Sequence, residues 1–531
     1  MKILLVEPDY RHGSIAFRKA AQDPAKKKRD DESLWYPPLG LLKLATYHRN
    51  KEDEVHFVNG CDKSAVERDL FSQDEFSHEL LWDRIYITTL FTFDWDNVLK
   101  TIEFYKKAVG GSTHKIFVGG IMASLMPTEL YEETNIVPTV GVLDSAEKIG
   151  FKGDSTDIDA LPPAYDLLDD RIYAVKDTYY AYTTRGCRRR CAWCGVWEIE
   201  PDYQDYIDIK PMIYKLRERY GDKARLKLMD NNILASEHLE RIVNDLLELG
   251  YGRGQMTTTT PPKMRVIDFN QGLDAKRFSE EKLALLSQLN IRPMRIAFDR
   301  VQYQDSYLKA VEMAQRFGFR EFSNYMLYNE QDTPRDLYER IRINIRKNEE
   351  WRNEDGKVAA AIYSYPMRFA PIKDDSRQGL NRTRDYVPPP PPRDIDYLQD
   401  ARWTKRFTRS IEIIKGASHG AISPMPSLAL RAFGKDYEEF IANLYMPEEL
   451  LRNRNKYEKR LYAYDEKREP GTGDVERFRE FVLRLLQARN DAFFEFHDAV
   501  SPCTKEAVKL ALKTCNNDEV RGWLQWYLKQ S

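Results

Sequence analysis

The chain has 531 residues, 42% hydrophobic and 31% charged, and its 82 basic and 84 acidic side chains leave a formal charge of −2. That length suffices for on the order of two or three domains with real cores, and the near balance of charge excludes a global electrostatic drive toward nucleic acid or an anionic membrane. Six cysteines, half of them clustered, are too few for a disulfide framework and predict a reducing, cytoplasmic setting.

The opening MKILLVEPDY has too short an apolar run for a signal segment, and no run approaches the roughly eighteen apolar residues of a membrane span. KILLVEP (2–8), EVHFVNG (54–60), RIYITTL (84–90), KIFVGG (115–120) and VPTVGV (137–142) read as short strands. Helix-length segments lie between them, LGLLKLATYHRN (39–50) and WDNVLKTIEFYKKAVG (95–110). Such alternation predicts an α/β fold with a parallel, doubly wound, Rossmann-like domain over residues 1–150. Residues 151–178, with Gly153, Pro162 and Pro163, predict a linker.

A second alternating series starts near residue 179. Its strands are YYAYTT (179–184), RLKLMD (225–230), RVIDFN (265–270), RPMRIAFD (292–299), EFSNYMLY (321–328) and AAAIYSYPM (359–367). Helices at 236–250, 279–290 and 333–351 separate them, the last with Thr333 as N-cap and Pro334 as its first residue. Six such units predict a (β/α)6 partial barrel over 179–386, with its site at the strand C-termini. VPPPPPR (387–393) predicts an extended polyproline linker over 387–397, and the charge-rich remainder, 398–531, a helical C-terminal domain.

TTRGCRRRCAWCGVW (183–197) sets Cys187, Cys191 and Cys194 in C-x3-C-x2-C spacing on the loop after the first strand of this series, where a barrel carries its active-site residues. Soft thiolates suit an iron–sulfur cluster or zinc. A structural zinc site takes four closed ligands, and the nearest histidine in sequence is His238. Three thiolates on a four-iron cluster leave one iron open to a small molecule. Cys61, Cys503 and Cys515 are too scattered for a second cluster and read as packed thiols. Arg188, Arg189 and Arg190 read as a solvated loop face or as a dock for an acidic electron donor.

The motif, with Trp193 just before its last cysteine, resembles that of the radical S-adenosylmethionine superfamily. The resemblance implies a [4Fe-4S] cluster held by Cys187, Cys191 and Cys194, its open iron chelated by the methionine moiety of S-adenosyl-L-methionine. One electron then breaks a sulfonium C–S bond, and the resulting 5′-deoxyadenosyl radical takes a hydrogen from the substrate. On the same resemblance Trp193 and the polar strand ends bind the cofactor: Asp230, Asn231 and Asn232 in MDNN, which lacks the Gly-Gly-Glu form; Asn270, Gln271 and Asp274 in FNQGLD; and Asp299 in AFD. Each of the strand-end residues is equally at home as a turn residue or N-cap. Tyr325, Tyr328, Tyr363 and Tyr365 read mostly as packing, with one available as a relay.

YPPLGLLKLATYHR (36–49), FVGGIMASLMPTEL (117–130) and ALPPAYDLLD (160–169) look like the amino-terminal half of the cobalamin-binding subgroup, which implies cobalamin as a further cofactor. A D-x-H-x-x-G loop there supplies histidine to cobalt. In DYRHG, Asp9 and His12 are one residue too far apart and Gly13 is too near, although relatives without the motif bind cobalamin without histidine. Gly119 and Gly120 would allow close backbone approach to it. With cobalamin the expected reaction is methyl transfer to an unactivated carbon or phosphorus; without it, a radical rearrangement, ring formation or C–H functionalisation. The expected partners are a small-molecule or peptide substrate and a reductant such as flavodoxin or ferredoxin, with neither membrane nor nucleic acid. A reading from another class, a non-catalytic metal-binding module, would require a fourth protein ligand.

Overall fold

The computed structural model describes residues 1–10, 34–66, 82–352, 357–371, 373–374, 379–380, 393–416, 421–459 and 471–529. His12 and the proline run at 387–392 lie outside the described residues. Two compact units result: unit 1 holds Met1–Gln271, Ala284–Ile291 and Pro371–Arg384, and unit 2 holds Gly272–Leu283, Arg292–Ala370 and Asp385–Ser531.

In unit 1, β1 (Lys2–Glu7), β2 (Glu54–Asn59), β3 (Arg84–Thr89) and β4 (Ile116–Gly120) form a parallel sheet in the order β2-β1-β3-β4. β1 is central, with Ile3 opposite both Val55 and Arg84. Its apolar run is continuous because a parallel strand buries both faces. Leu4 and Val6 point to one side, into a core with Trp95, Val98 and Ile102 of α2 (Trp95–Lys106). Ile3 and Leu5 point to the other, against Leu41, Leu44 and Ala45 of α1 (Leu39–Arg49). Helices on both faces make the sheet doubly wound. After β4 come α3 (Ile121–Leu125) and α4 (Pro127–Thr134).

The strand expected at 137–142 is not one. Only Thr139 joins the sheet, its N–H donating to Val118 O at 2.8 Å. Pro138 has no N–H to give, Gly141 has a left-handed φ of +74°, and Val137 and Val140 stay 77% and 46% exposed, so no burial drives pairing.

Residues 151–177 run as an irregular connector with one turn at Tyr165–Leu167, tied back where Trp35 N–H donates to Ile172 O and Ala174 N–H to Trp35 O. A second parallel sheet follows, β5 (Thr178–Ala181), β6 (Arg225–Leu228) and β7 (Val266–Phe269), in the order β5-β6-β7. Between its strands lie α5 (Val196–Ile199), α6 (Lys210–Tyr220) and α7 (Leu239–Glu248), and after them α8 (Glu280–Leu286).

Unit 2 carries the parallel sheet β10-β9-β8, from β8 (Met294–Arg295), β9 (Glu321–Tyr328) and β10 (Ala361–Arg368). β8 is far shorter than the strand expected at 292–299. Beyond Arg295 only single bonds continue it, such as Ile296 N–H to Ser323 O at 2.9 Å. With α9 (Gln304–Arg316), the long α10 (Pro334–Glu350) supports this sheet, opened by a capping box between Thr333 and Asp336. Beneath it Arg340, fully buried, pairs with Asp332 at 2.7 Å and donates to the carbonyls of Asp299 (2.7 Å) and Leu327 (2.8 Å).

The remainder is helical as expected: α11 (Lys405–Gly416), α12 (Pro426–Phe433), α13 (Tyr437–Tyr445), α14 (Glu448–Arg452), α15 (Arg454–Tyr457), α16 (Asp474–Ala488), α17 (Asp491–Val500), α18 (Lys505–Thr514) and α19 (Asp518–Trp526). Phe407, Tyr445, Phe478, Phe481 and Phe496 fill its core. No helix among the described residues is long and apolar enough to cross a membrane.

Candidate functional site

Past Ala181 the chain leaves the β5 ladder and turns its polar groups onto the end of β6. Thr183 and Thr184 donate their hydroxyls to Asp230 Oδ1 at 2.7 and 2.8 Å, and the Thr184 N–H donates to the same oxygen. Asp230 Oδ2 is buried and has no hydrogen-bond partner. Burial pushes this carboxyl above the usual range, against the donors on Oδ1.

The cysteine loop is clamped at its root. Gly186 has φ +72°, and a Cβ there would lie 2.6 Å from Asp202 O and 3.0 Å from Glu200 O, so only glycine fits. Glu200 Oε2 accepts the Gly186 N–H (2.6 Å) and Asn231 Nδ2 (3.0 Å), while Oε1 accepts Arg185 Nη1 (2.7 Å). Arg185 also donates to Asp159 Oδ2 and lies 3.4 Å over the Tyr182 ring; Lys43 holds Asp159 Oδ1 at 2.8 Å. Burial alone would raise the Asp159 carboxyl, but the two cations outweigh it and hold it below the usual range. Lys43, Asp159, Arg185 and Glu200 thus alternate in sign from α1 through the connector to the loop. At its far end, a Cβ on Gly195 would lie 2.8 Å from Leu125 of α3, which seats the loop on the first sheet's helix.

None of the three loop thiols is in a disulfide, and all are half-buried. Cys187 Sγ accepts the Arg189 N–H at 3.4 Å and Asn232 Nδ2 at 3.5 Å, and the Cys194 N–H closes a turn onto Cys191 O at 3.0 Å. Asn232 is buried, with Oδ1 unpartnered. Among the described residues no three His, Cys, Asp or Glu side chains are disposed as a ready metal cage. The chemistry of the donor set nevertheless fits a three-thiolate iron–sulfur cluster: three thiols outside any disulfide on one loop, N–H donors already on a sulfur, and unpartnered oxygens at the neighbouring strand end.

At β7 the site gains residues that sequence reasoning did not single out. Tyr36 OH donates to Asn270 Oδ1 at 2.8 Å and accepts from Lys227 Nζ at 2.8 Å, with Asp268 3.8 Å from that ammonium. Lys227 breaks the apolar pattern of RLKLM (225–229), and Tyr36 stands in the quoted YPP. Those were the available signals, and neither says that the two meet across 191 residues.

The other expected residues are placed as follows. Trp193 is half-buried and Gln271 exposed. Asp274 caps the turn Ala275–Arg277 through the Lys276 N–H (3.1 Å), its ordinary structural role. Asp299 gives its carbonyl to Arg340. Tyr328 is buried and donates to Glu412 (2.7 Å), Tyr325 and Tyr365 pair at 5.9 Å, and Tyr363 is exposed. Arg188 pairs with Glu237 at 3.1 Å and Asp205 at 3.6 Å, leaving Arg190 as an exposed cation. Gly120 is required by its own sheet, since a Cβ there would lie 2.3 Å from Thr89 O. Where the sheet order switches, between β1 and β3, Tyr10 and Phe91 pair edge to face at 6.0 Å and Phe91 stacks on Phe93 at 4.9 Å.

Neither a protein-family model nor a curated protein matches the sequence. Among solved structures the chain is similar to the radical S-adenosylmethionine methyltransferase TsrM from Kitasatospora setae, captured with its tryptophan substrate and the analogue aza-SAM. The TM-score is 0.43 at 14% identity, over 64% of this chain and 71% of that one. What the chain does therefore has to be derived from its own side chains.

Proposed function

We propose that the chain is a radical S-adenosylmethionine enzyme. One arrangement carries this reading: three half-buried thiols, none in a disulfide, in C-x3-C-x2-C spacing after β5, beside buried Asp230 and Asn232 with unpartnered oxygens at the end of β6. Cys187, Cys191 and Cys194 would hold a [4Fe-4S] cluster by three of its irons. When bound and reduced, it supplies the electron that cleaves the sulfonium of S-adenosyl-L-methionine and starts radical chemistry on a substrate.

The chain's residues bind and orient. A buried carboxylate oxygen with no partner is unfavourable until a donor arrives, so Asp230 Oδ2 suits the cofactor's ammonium. Asn232 steadies Cys187 with its amide N–H and offers Oδ1 to the same end of the ligand. Glu200, held by Arg185, fixes where the loop leaves the sheet. Tyr36 brings an O–H, set between an ammonium and an amide, to the end of β7, where it can hold or pass a proton. Trp193 would shield the cluster, and Asn270 with Gln271 would contact the cofactor beyond it.

The finer proposal is cobalamin-dependent methyl transfer. The switch point between β1 and β3, where doubly wound domains bind ligands, presents the aromatic faces of Tyr10, Phe91 and Phe93. The substrate is proposed to be a small molecule or peptide. Electrons would come from an acidic flavodoxin or ferredoxin docking near Arg190, in a reducing compartment that suits six cysteines outside any disulfide.

Anaerobic reconstitution tests this. Iron, sulfide and cobalt are counted, and dithionite-reduced protein is incubated with S-adenosyl-L-methionine and chromatographed for 5′-deoxyadenosine. The proposal expects about four irons and 5′-deoxyadenosine that disappears in Cys191→Ala; bound cobalt selects methyl transfer over rearrangement. Zinc in place of iron, or an intact sulfonium, contradicts it.

A further inference from the structure

Unit 2 contains an open-mouthed pocket of about 470 Å³ among α11, α12, α14 and α15. That volume lies within the ~300–1,000 Å³ of small-molecule sites. Its floor is apolar, formed by Ile414, Ile422, Leu428, Phe433 and Leu451. Its lining includes four cations, Arg431, Arg452, Arg454 and Lys456, and no carboxylate.

Two of the cations are fixed by the fold. Arg454, 9% exposed, donates to the carbonyls of Arg431 (2.6 Å) and Ala432 (2.9 Å) at the end of α12, and Arg431 is held by Glu458 at 3.1 Å. The other two face solvent at the rim, Arg452 with its side chain 42% exposed and Lys456 exposed. Of the carboxylates nearby, Glu448 makes a bidentate pair with Arg409 (3.0 Å on each oxygen) and a looser one with Arg452 at 3.5 Å, and Glu449 accepts from Tyr457 and Asn453.

We propose that this pocket binds a small amphiphile with an apolar body and one anionic head group. The body lies on the Ile414, Phe433 and Leu451 floor, and a carboxylate or phosphate head is held at the rim by Arg452 and Lys456. Apolar area removed from water supplies the affinity, and the rim charge selects the sign of the head. Nothing in the pocket depends on the radical reading.

Titration calorimetry on the full chain tests it, using decanoate and decyl phosphate below their micelle concentrations and decyltrimethylammonium as a cation of matched tail. Saturable, one-to-one binding of at least one anion, about tenfold tighter than the cation, is expected; the stronger of the two anions identifies the head group. Arg452→Glu combined with Lys456→Glu, both rim positions, should weaken the anion by about tenfold or more. Leu428→Trp should fill the pocket and abolish binding of either sign, its folding checked by circular dichroism. Equal affinity for both signs, no saturable binding, or an unchanged charge-reversed variant overturns the proposal. If Leu428→Trp misfolds, the charge-reversed pair decides alone.

Discussion

Asp230 gathers three donors on one oxygen and none on the other, in a place that water does not reach. Because burial raises its folded-state value, its charged form destabilises the fold. The effect is absent below the ordinary 3.8 and grows as pH rises through the folded value. Asp230→Asn should therefore leave thermal stability at pH 7 unchanged or higher, while weakening S-adenosyl-L-methionine about tenfold or more in equilibrium dialysis. A large loss of stability at pH 7 would make Asp230 a purely structural residue. Gly186→Ala should destabilise by at least ~1–2 kcal/mol from its left-handed backbone alone, with more from the 2.6 Å approach to Asp202 O, and lower the iron content on reconstitution. The cysteines were legible at this scale because their chemistry lies in local spacing. Glu200, Arg185 and Tyr36 were not, because their roles come from contacts between residues distant in sequence, and common residue types carry no local sign of such a meeting.

Among elements, α10 was read closely from sequence: Thr333 caps it, Pro334 opens it and Asp336 completes the box. Thr333→Ala should cost about 1 kcal/mol, measured by urea denaturation. Strands were legible where burial on both faces left an apolar run, as in β1. They were over-read at 137–142, where only Thr139 bonds to the sheet, and at 292–299, where only Met294 and Arg295 form a ladder with β9. The alternating ions from Lys43 to Glu200 form an element of their own, joining α1, the connector and the cysteine loop. Arg185→Met would leave Asp159 short of a cation and Glu200 without one in a poorly solvated place. It should destabilise by ~3–5 kcal/mol, whereas loss of a solvated surface pair would cost under ~1 kcal/mol.

Across the whole molecule, the order of strands and helices was readable, because periodicity and breakers record it, whereas the division into two units depends on packing that no local pattern encodes. His497 gives the helical part a pH signature. It is buried against Tyr445 OH (2.8 Å) and Ser501 Oγ (3.2 Å), and burial pulls its value down from 6.5 to about 4. The neutral ring is the folded form, so stability is full above 6.5 and is lost as pH falls toward 4, by up to ~3 kcal/mol. His497→Gln should flatten that part of the urea midpoint against pH. The central claim is that three thiols leave one iron open for a ligand recognised beside it. Low-temperature electron paramagnetic resonance of the reduced, reconstituted chain reads this directly. The account predicts a cluster signal that changes when S-adenosyl-L-methionine is added and that is lost in Cys191→Ala; a signal indifferent to S-adenosyl-L-methionine, or no cluster signal at all, would contradict it.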